Sequence, residues 1–464
     1  MNASKEDVQD FNFIITEAMR VYDLLNGDNY KEELRKEYCR DFSSIGMVIE
    51  PPMELKLSHS DDNYRQIHLS YDSNDTFYKI AKRQIRCNKM EMLVTANEFV
   101  SVLKSELYKH IFIRLGELNQ QGCTTLLNKV YSILKGMMKK EDFYFPLLAF
   151  GLPNEVFSFK IAEIIPKRDM FECVGESLRS SILSKAKKFC NANEHPYDYF
   201  LKVSIPNGTK ESRARVAKKI AEFIVGVIHL FSEQYHIPPD FISLSTTPYP
   251  KYDGFWFSKI DDKNWDFKLS ISMIAGNTPD FWIIFKESID TELGSVLCEL
   301  TRLAAEPKDY RIIADKLIDA IFIFSSALQD KDESSRVVKL VTALERLVSL
   351  KEDAGNNITS KHFRNRVASL ISIFHGEKER WGIISGEMYS LRSEIVHGSW
   401  SLYRSVEPLY IKKYNELTSK TILSACMAFF GFGLEKEDSE VVLKDFYIHL
   451  EKLVSKTQIP KNQS

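Results

Sequence analysis

The stretch SSRVVKLVTALERLVSL, residues 334–350, indicates which fold to expect in the last third of the chain. Its apolar residues recur three and four positions apart, so they line one side of a helix. Stretches of the same kind follow it, and the apolar run IIADKLIDAIFIFSSAL, residues 312–328, precedes it. The sequence therefore predicts an all-α bundle in this part of the chain, built from five helices with a sixth packed in front.

The chain before this bundle has a mixed character. YDYFLKVSIP, residues 197–206, alternates apolar and polar residues as a strand with one wet face does. GFWFS (254–258), WDFKLSISM (265–273) and DFWIIFKE (280–287) are short apolar runs between Pro, Gly, Asn and Asp residues, and each is typical of a strand. We expect an α+β protein with a mixed α/β region over residues 1–305, which is either one unit or two subdomains that meet near 140. The helical bundle then covers residues 306–457, and 458–464 form a tail.

The composition limits the function classes. The chain has 464 residues, enough for two or three domains, and its net charge is only −2. A nucleic-acid site must therefore come from a local basic patch. Seven cysteines without a C-x-x-C pair or a metal-ligand cluster indicate reduced thiols in the cytoplasm. We expect no metal site, no cofactor, no secretion signal and no membrane span, since the apolar run at 312–328 carries three charged residues.

The stretch LRSEIVHG, residues 391–398, contains an arginine and a histidine with four residues between them. This R-x-x-x-x-H spacing is a weak signal when taken alone. Its surroundings add to it. The stretches ALERL (343–347), FRNRVASLI (363–371) and MYSLRSEIVHG (388–398), in this order and spacing, resemble the HEPN superfamily of helical domains, with the ApeA-like HEPN group of bacterial anti-phage defence proteins as the closest likeness. The resemblance covers about residues 310–457.

The resemblance implies a metal-independent endoribonuclease. Ribonucleases of this superfamily place R-x-x-x-x-H at a homodimer interface, so that two subunits contribute to one cleft. The implied catalytic pair here is Arg392 and His397. Ser393 occupies the place where the family often has a polar residue, and Glu345 matches a recurrent acidic position. The implied role is defence or toxin-like host shutdown by cleavage of tRNA or mRNA, leaving a 2′,3′-cyclic phosphate and a 5′-hydroxyl.

These residue types suit that chemistry. A histidine with a pKa near ~6.5 can act as acid or base at neutral pH, and an arginine stays charged and grips phosphate oxygens. On a regular helix, residues five apart point about 140° away from each other, so Arg392 and His397 do not share one narrow face. Glu345 lies at the edge of an apolar stripe and needs a partner, for which Arg392 and Arg366 are the candidates.

A basic stretch follows the first bundle helix. It carries Lys361, Arg364 and Arg366 with no acidic residue from Ala354 to Gly376. These side chains either guide an RNA backbone or form the solvated face of a helix. We retain Lys361 and Arg364 as candidate RNA-binding residues and Arg366 as a supporting residue.

Two other functions stay open. Some HEPN domains have lost activity and serve as binding or dimerisation modules, and this chain is alternatively such a module in a multi-component defence or toxin–antitoxin system. It is alternatively a toxin-like subunit that a separate nucleotidyltransferase neutralises. In the favoured hypothesis, the N-terminal region senses a phage-derived trigger or a regulatory partner protein, holds the enzyme inactive, or selects the substrate.

Overall fold

The structure is a computed structural model. It describes these residues: 2–26, 39–42, 46–49, 53–55, 67–114, 116–175, 179–190, 198–244, 251–259, 265–272, 279–305, 311–355, 360–401, 403–434, 436 and 439–457. The chain divides into two compact units. The first comprises Met1–Glu141 with Pro206–Arg215, and the second comprises Asp142–Ile205 with Val216–Ser464.

The first unit is mainly helical. Its elements are α1 (Lys5–Asn26), β1 (Cys39–Phe42), β2 (Gly46–Ile49), β3 (Met53–Leu55), β4 (Ile67–Leu69), α2 (Tyr71–Cys87), α3 (Ala96–Arg114) and α4 (Gln120–Met137). Strands β1 and β2 pair antiparallel, as do β3 and β4. The helices enclose one apolar core, in which Phe11, Phe77 and Phe99 are fully buried. Asp7 lies at the edge of this core and accepts hydrogen bonds from Arg83 and Gln84, which tie α1 to α2.

The second unit begins with a sheet and its helices. Its elements before the bundle are β5 (Glu141–Ala149), β6 (Phe157–Ser158), β7 (Ala162–Pro166), α5 (Lys167–Gly175), α6 (Ser180–Cys190), β8 (Tyr199–Ile205), α7 (Lys210–Gln234), β9 (Ile242–Ser243), β10 (Lys251–Lys259), β11 (Trp265–Ser272), α8 (Pro279–Ile289) and α9 (Glu292–Ala305). Five strands form one sheet in the order β6-β7-β8-β5-β9, and β10 and β11 form a separate antiparallel hairpin. The predicted strands at 197–206, 254–258 and 265–273 correspond to β8, β10 and β11.

The prediction of a strand at DFWIIFKE is wrong, because these residues form helix α8. Three of its aromatic side chains are nearly or fully buried, namely the neighbours Phe281 and Trp282 and, one turn after Phe281, Phe285. The Trp282 indole nitrogen donates to the Phe150 carbonyl at 2.8 Å. A short apolar run fits a buried strand and a buried helix equally well, and the tertiary contacts decide between them.

Helix α7 packs closely on the bundle. A Cβ added at Gly226 would lie 3.0 Å from a methyl carbon of Ile321, so only glycine allows this approach. Two turns further along α7, on the same side of the helix, lies Glu233. Burial raises the pKa of Glu233 to about 7, although Arg336 and a hydrogen bond with Asn415 act to lower it. The second unit therefore contains a partly buried carboxyl group that titrates near neutral pH.

In the described residues from 311 onward, six helices form the C-terminal bundle: α10 (Ile312–Leu328), α11 (Glu333–Val348), α12 (Ser360–His375), α13 (Lys378–Val396), α14 (Pro408–Gly431) and α15 (Glu440–Thr457). Helix α10 packs along α11, α12 packs along α13, α14 contacts both pairs, and α15 contacts α12. Asp332 caps α11 by accepting the Ser335 N–H at 2.6 Å. Most of the apolar residues that predicted the helices are buried, although Phe374 is half exposed.

The fold class α+β, with a helical C-terminal region, is confirmed. The domain boundaries proposed at 305/306 and 457/458 stay predictions. None of the helices in the described part of the chain combines the length and the apolar character that crossing a membrane requires.

Candidate functional site

The C-terminal end of α11 is fixed by side chains from three other helices. Four unpaired carbonyls normally end a helix, and here several of them have donors. The Lys316 ammonium lies 2.5 Å from the Ser349 carbonyl oxygen and 3.3 Å from that of Arg346. The Tyr447 hydroxyl donates to the Leu347 carbonyl at 3.0 Å. This end of the helix, which carries Glu345, is therefore held in place.

Glu345 and Arg392 are brought together by α11 and α13. One carboxylate oxygen of Glu345 lies 3.7 Å from a terminal guanidinium nitrogen of Arg392, an ion pair without a hydrogen bond. Burial raises the pKa of Glu345, and the neighbouring Arg392 only partly opposes this shift. Within the described residues, the buried Nε of Arg392 has no hydrogen-bond partner. The guanidinium is thus held beside Glu345, with its Nε buried and without an acceptor.

Tyr389 completes this cluster on the same face of α13, one turn before Arg392. Its ring packs against Phe363 of α12 with 4.8 Å between the ring centroids. Burial raises the pKa of the Tyr389 phenol, with a further contribution from the Glu345 carboxylate. Sequence reasoning missed Tyr389. Its position three residues before Arg392 on a helix makes the two side chains neighbours on the helix surface.

His397 ends α13. It is the C-cap residue, and its backbone N–H donates to the Ser393 carbonyl at 3.0 Å. Gly398 follows with φ +76°, the left-handed conformation that favours glycine. The Gly398 N–H then donates to Ile395 and the Ser399 N–H donates to Glu394, a Schellman motif. The His397 side chain is exposed, and among the described residues it makes no hydrogen bond.

No known protein family, curated protein or solved structure matches the chain.

Arg392 lies near the C-terminal end of α13 and His397 is the cap of the same helix, but the two side chains face different surroundings. Arg392 is 26% exposed and faces Glu345, whereas His397 faces solvent. Gly398 has open space around it, so its role here is to end the helix. Ser393 is partly buried on the same turn and supplies the carbonyl that holds the His397 backbone.

Arg366 is not part of this cluster. Its guanidinium donates to the Val348 carbonyl and to the Asp353 carboxylate, both at 2.7 Å, and its side chain is only 9% exposed. The structure gives Glu345 the partner Arg392 and gives Arg366 the partner Asp353. This placement favours a structural role for Arg366, which joins the middle of α12 to the last residue of α11 and to the segment after it.

Lys361 and Arg364 lie one turn apart on α12, and both are exposed. A Cβ added at Gly386 of α13 would lie 3.3 Å from the Arg364 Cδ, so the arginine stem lies across α13 at this glycine. This contact is six residues before Arg392 on α13, and Arg392 itself faces Glu345 of α11. The arrangement provides an anchored arginine, a solvent-facing imidazole and further cations on one helix pair.

Proposed function

We propose that the chain is a cytoplasmic, metal-independent endoribonuclease of HEPN type, in which two copies form each active site. In this proposal, Arg392 binds the scissile phosphate and His397 transfers protons. The Ser393 side chain and Glu345 support them, while Lys361 and Arg364 guide the RNA backbone. The observation that carries the proposal is the R-x-x-x-x-H arrangement at the end of α13, with an unsaturated guanidinium and an exposed ring.

The electrostatics of the pair support this assignment. An ion pair at 3.7 Å orients Arg392 without using its donors in hydrogen bonds, so they remain for phosphate oxygens. The exposed ring of His397 is free to meet a substrate. Acid–base catalysis on RNA requires such access.

The different directions of the two side chains support a composite site. Within one chain, His397 lies past the end of α13 while Arg392 faces α11. A second copy related by a two-fold axis near His397 would add a second histidine to the cleft. One histidine then takes the 2′-OH proton and the other protonates the leaving 5′ oxygen, so the bond from phosphorus to the 5′ oxygen breaks as the cyclic phosphate forms. This proton balance needs no added reactant.

The alternative is a HEPN module that binds or dimerises without cleaving RNA. The burial of most of Arg392 and its contact with Glu345 are compatible with a purely structural pair. Both functions predict self-association and RNA contact, and only the nuclease predicts new RNA ends. The phage-derived trigger and the biological role in defence belong to the same proposal.

The test uses the full chain, His397→Ala and the matched control His449→Ala, which removes an exposed histidine of α15. Each protein is incubated with total RNA in EDTA, and each is also expressed in cells. We expect the wild type and His449→Ala to produce 2′,3′-cyclic phosphate ends and to arrest growth, and His397→Ala to do neither. Equal cleavage by His397→Ala, or RNA binding by all three proteins with neither cleavage nor arrest, would contradict the nuclease.

A further inference from the structure

A cavity of about 560 Å³ lies in the second unit between the edge of its sheet, α7 and α10. Its apolar wall is made by Phe145 and Pro146 of β5, Leu244 after β9, and Phe322 of α10. All four side chains are partly buried. The volume falls within the usual range for small-molecule sites, and the two phenylalanine rings offer apolar surface to a flat ligand.

The polar wall is organised by a buried histidine. The His229 Nε2 lies 2.8 Å from the Ile242 carbonyl oxygen, and its Nδ1 lies 3.0 Å from the Ser325 hydroxyl. Because a carbonyl only accepts, Nε2 carries the hydrogen. Burial lowers the pKa of His229, so the ring is neutral and Nδ1 accepts the Ser325 hydroxyl proton. The Ser325 oxygen can therefore only accept further hydrogen bonds. The amide nitrogen of Gln329 lies 3.3 Å from it.

The hydrogen bonds of His229 and Ser325 fix which groups at the cavity can donate and which can accept. Ser325 can only accept there, while Gln329 has a second N–H and a carbonyl oxygen to offer. The hydroxyl groups of Ser243 and Ser326 also line the space. A ligand that fits must therefore carry both donors and acceptors beside an apolar ring.

The charges around the cavity balance. Lys218, Glu222 and Asp240 line it, and Lys219 lies against the lining residue Phe322, with its ammonium 4.0 Å from the ring centroid. The Lys219 ammonium is also 3.3 Å from the Glu222 carboxylate. Two cations face two anions, so the site has no excess positive charge to attract a phosphate. An uncharged ligand is favoured.

We infer that this cavity binds an uncharged nucleoside or its free base. The flat base would lie against the Phe145 and Phe322 rings, and its polar edge would meet Gln329 and Ser325. The hydroxyl groups of Ser243 and Ser326 and the Glu222 carboxylate are suited to the sugar hydroxyls. The inference does not depend on the proposed nuclease, because binding is measured without RNA cleavage.

The test is equilibrium dialysis of the full chain with adenosine, guanosine, cytidine and uridine, each tested singly, and with the corresponding free bases and 5′-monophosphates. We expect at least one nucleoside or base to bind with Kd below about 1 mM, and its monophosphate to bind more weakly. Ser326→Phe fills the cavity and should abolish binding. The matched control Ser295→Phe, at an exposed serine of α9, should bind as the wild type does.

Gln329→Met keeps the length of an exposed side chain at the end of α10 and removes only its amide, so it tests the site without disturbing the core. We expect about tenfold weaker binding from the lost hydrogen bonds. The inference is overturned if no nucleoside or base binds near 1 mM, if a monophosphate binds more tightly than its nucleoside, or if Gln329→Met leaves the affinity unchanged.

Discussion

The substitution Arg366→Met separates a structural arginine from a catalytic one. It keeps the apolar stem of the side chain and removes hydrogen bonds to the Val348 carbonyl and the Asp353 carboxylate, both of 2.7 Å. Asp353 is only about one tenth exposed, and Arg366 is among the groups that hold the pKa of this carboxyl below its usual value. The change therefore leaves a buried charge and a carbonyl without their main donor.

The expected cost follows from these contacts. Removing one partner of a buried ion pair costs about 3–5 kcal/mol, and a hydrogen bond to a charged group alone contributes about 1.5–3 kcal/mol. The Leu350 N–H still donates to Asp353 at 2.7 Å, so the loss is partly offset. We therefore expect Arg366→Met to lower the free energy of unfolding by about 3 kcal/mol.

The assay is urea unfolding of the full chain, with Arg364→Met as the matched control. Arg364 lies two positions earlier on α12 and is exposed, so its replacement should change stability by no more than about 0.5 kcal/mol. The structural assignment is refuted if Arg366→Met is as stable as Arg364→Met.

Three further changes have separate expected outcomes. Glu345→Gln keeps the size of the side chain but removes the charge that attracts Arg392. We expect RNA cleavage to fall roughly 10- to 100-fold with unchanged thermal unfolding. Equal cleavage rates of the variant and the wild type would exclude an orienting role. Glu233 has its pKa raised from 4.5 to about 7 in the folded state, so the wild type loses stability as pH rises through 7. The advantage of Glu233→Gln in denaturant unfolding should grow by about 2–3 kcal/mol between pH 5 and pH 8, and a constant difference would contradict the burial argument. Gly398→Ala places a side chain at φ +76° in open space, so only the backbone conformation opposes it. We expect thermal unfolding to show a loss of about 1–2 kcal/mol of stability. Unchanged stability would show that the backbone at the end of α13 adopts another conformation.

The sequence predicted the bundle well because its helices are long and regularly patterned. In α11 the spacing of Val337, Leu340, Val341 and Leu344 leaves one consistent interpretation, and all four are fully buried. The eight residues at 280–287 are too few for this, and the packing of Trp282 and Phe285 against Phe157 of β6 decided in favour of a helix.

The candidate site was predictable in part. The spacing placed Glu345 at the edge of an apolar stripe, which indicated the need for a cationic partner. It also placed Arg366 three residues after Phe363 and four before Leu370, on the buried side of α12, and this signal for a structural role was present but unused. The acceptor of Arg366, Asp353, lies outside any regular pattern. The buried His229 and the raised pKa of Glu233 depend on contacts between distant helices, which no local pattern reveals.

The most direct test of the central claim is to dilute wild-type chains into an excess of His397→Ala chains and to measure RNA cleavage per wild-type chain after the copies have exchanged. If each active site needs two copies, most wild-type chains will sit beside an inactive partner, and we predict that cleavage per wild-type chain falls severalfold as the excess rises. His449→Ala is itself expected to cleave RNA, so the matched dilution with it should leave cleavage per active chain, counting both proteins, unchanged. Cleavage per wild-type chain that stays constant in the His397→Ala mixture would contradict a site shared between two copies.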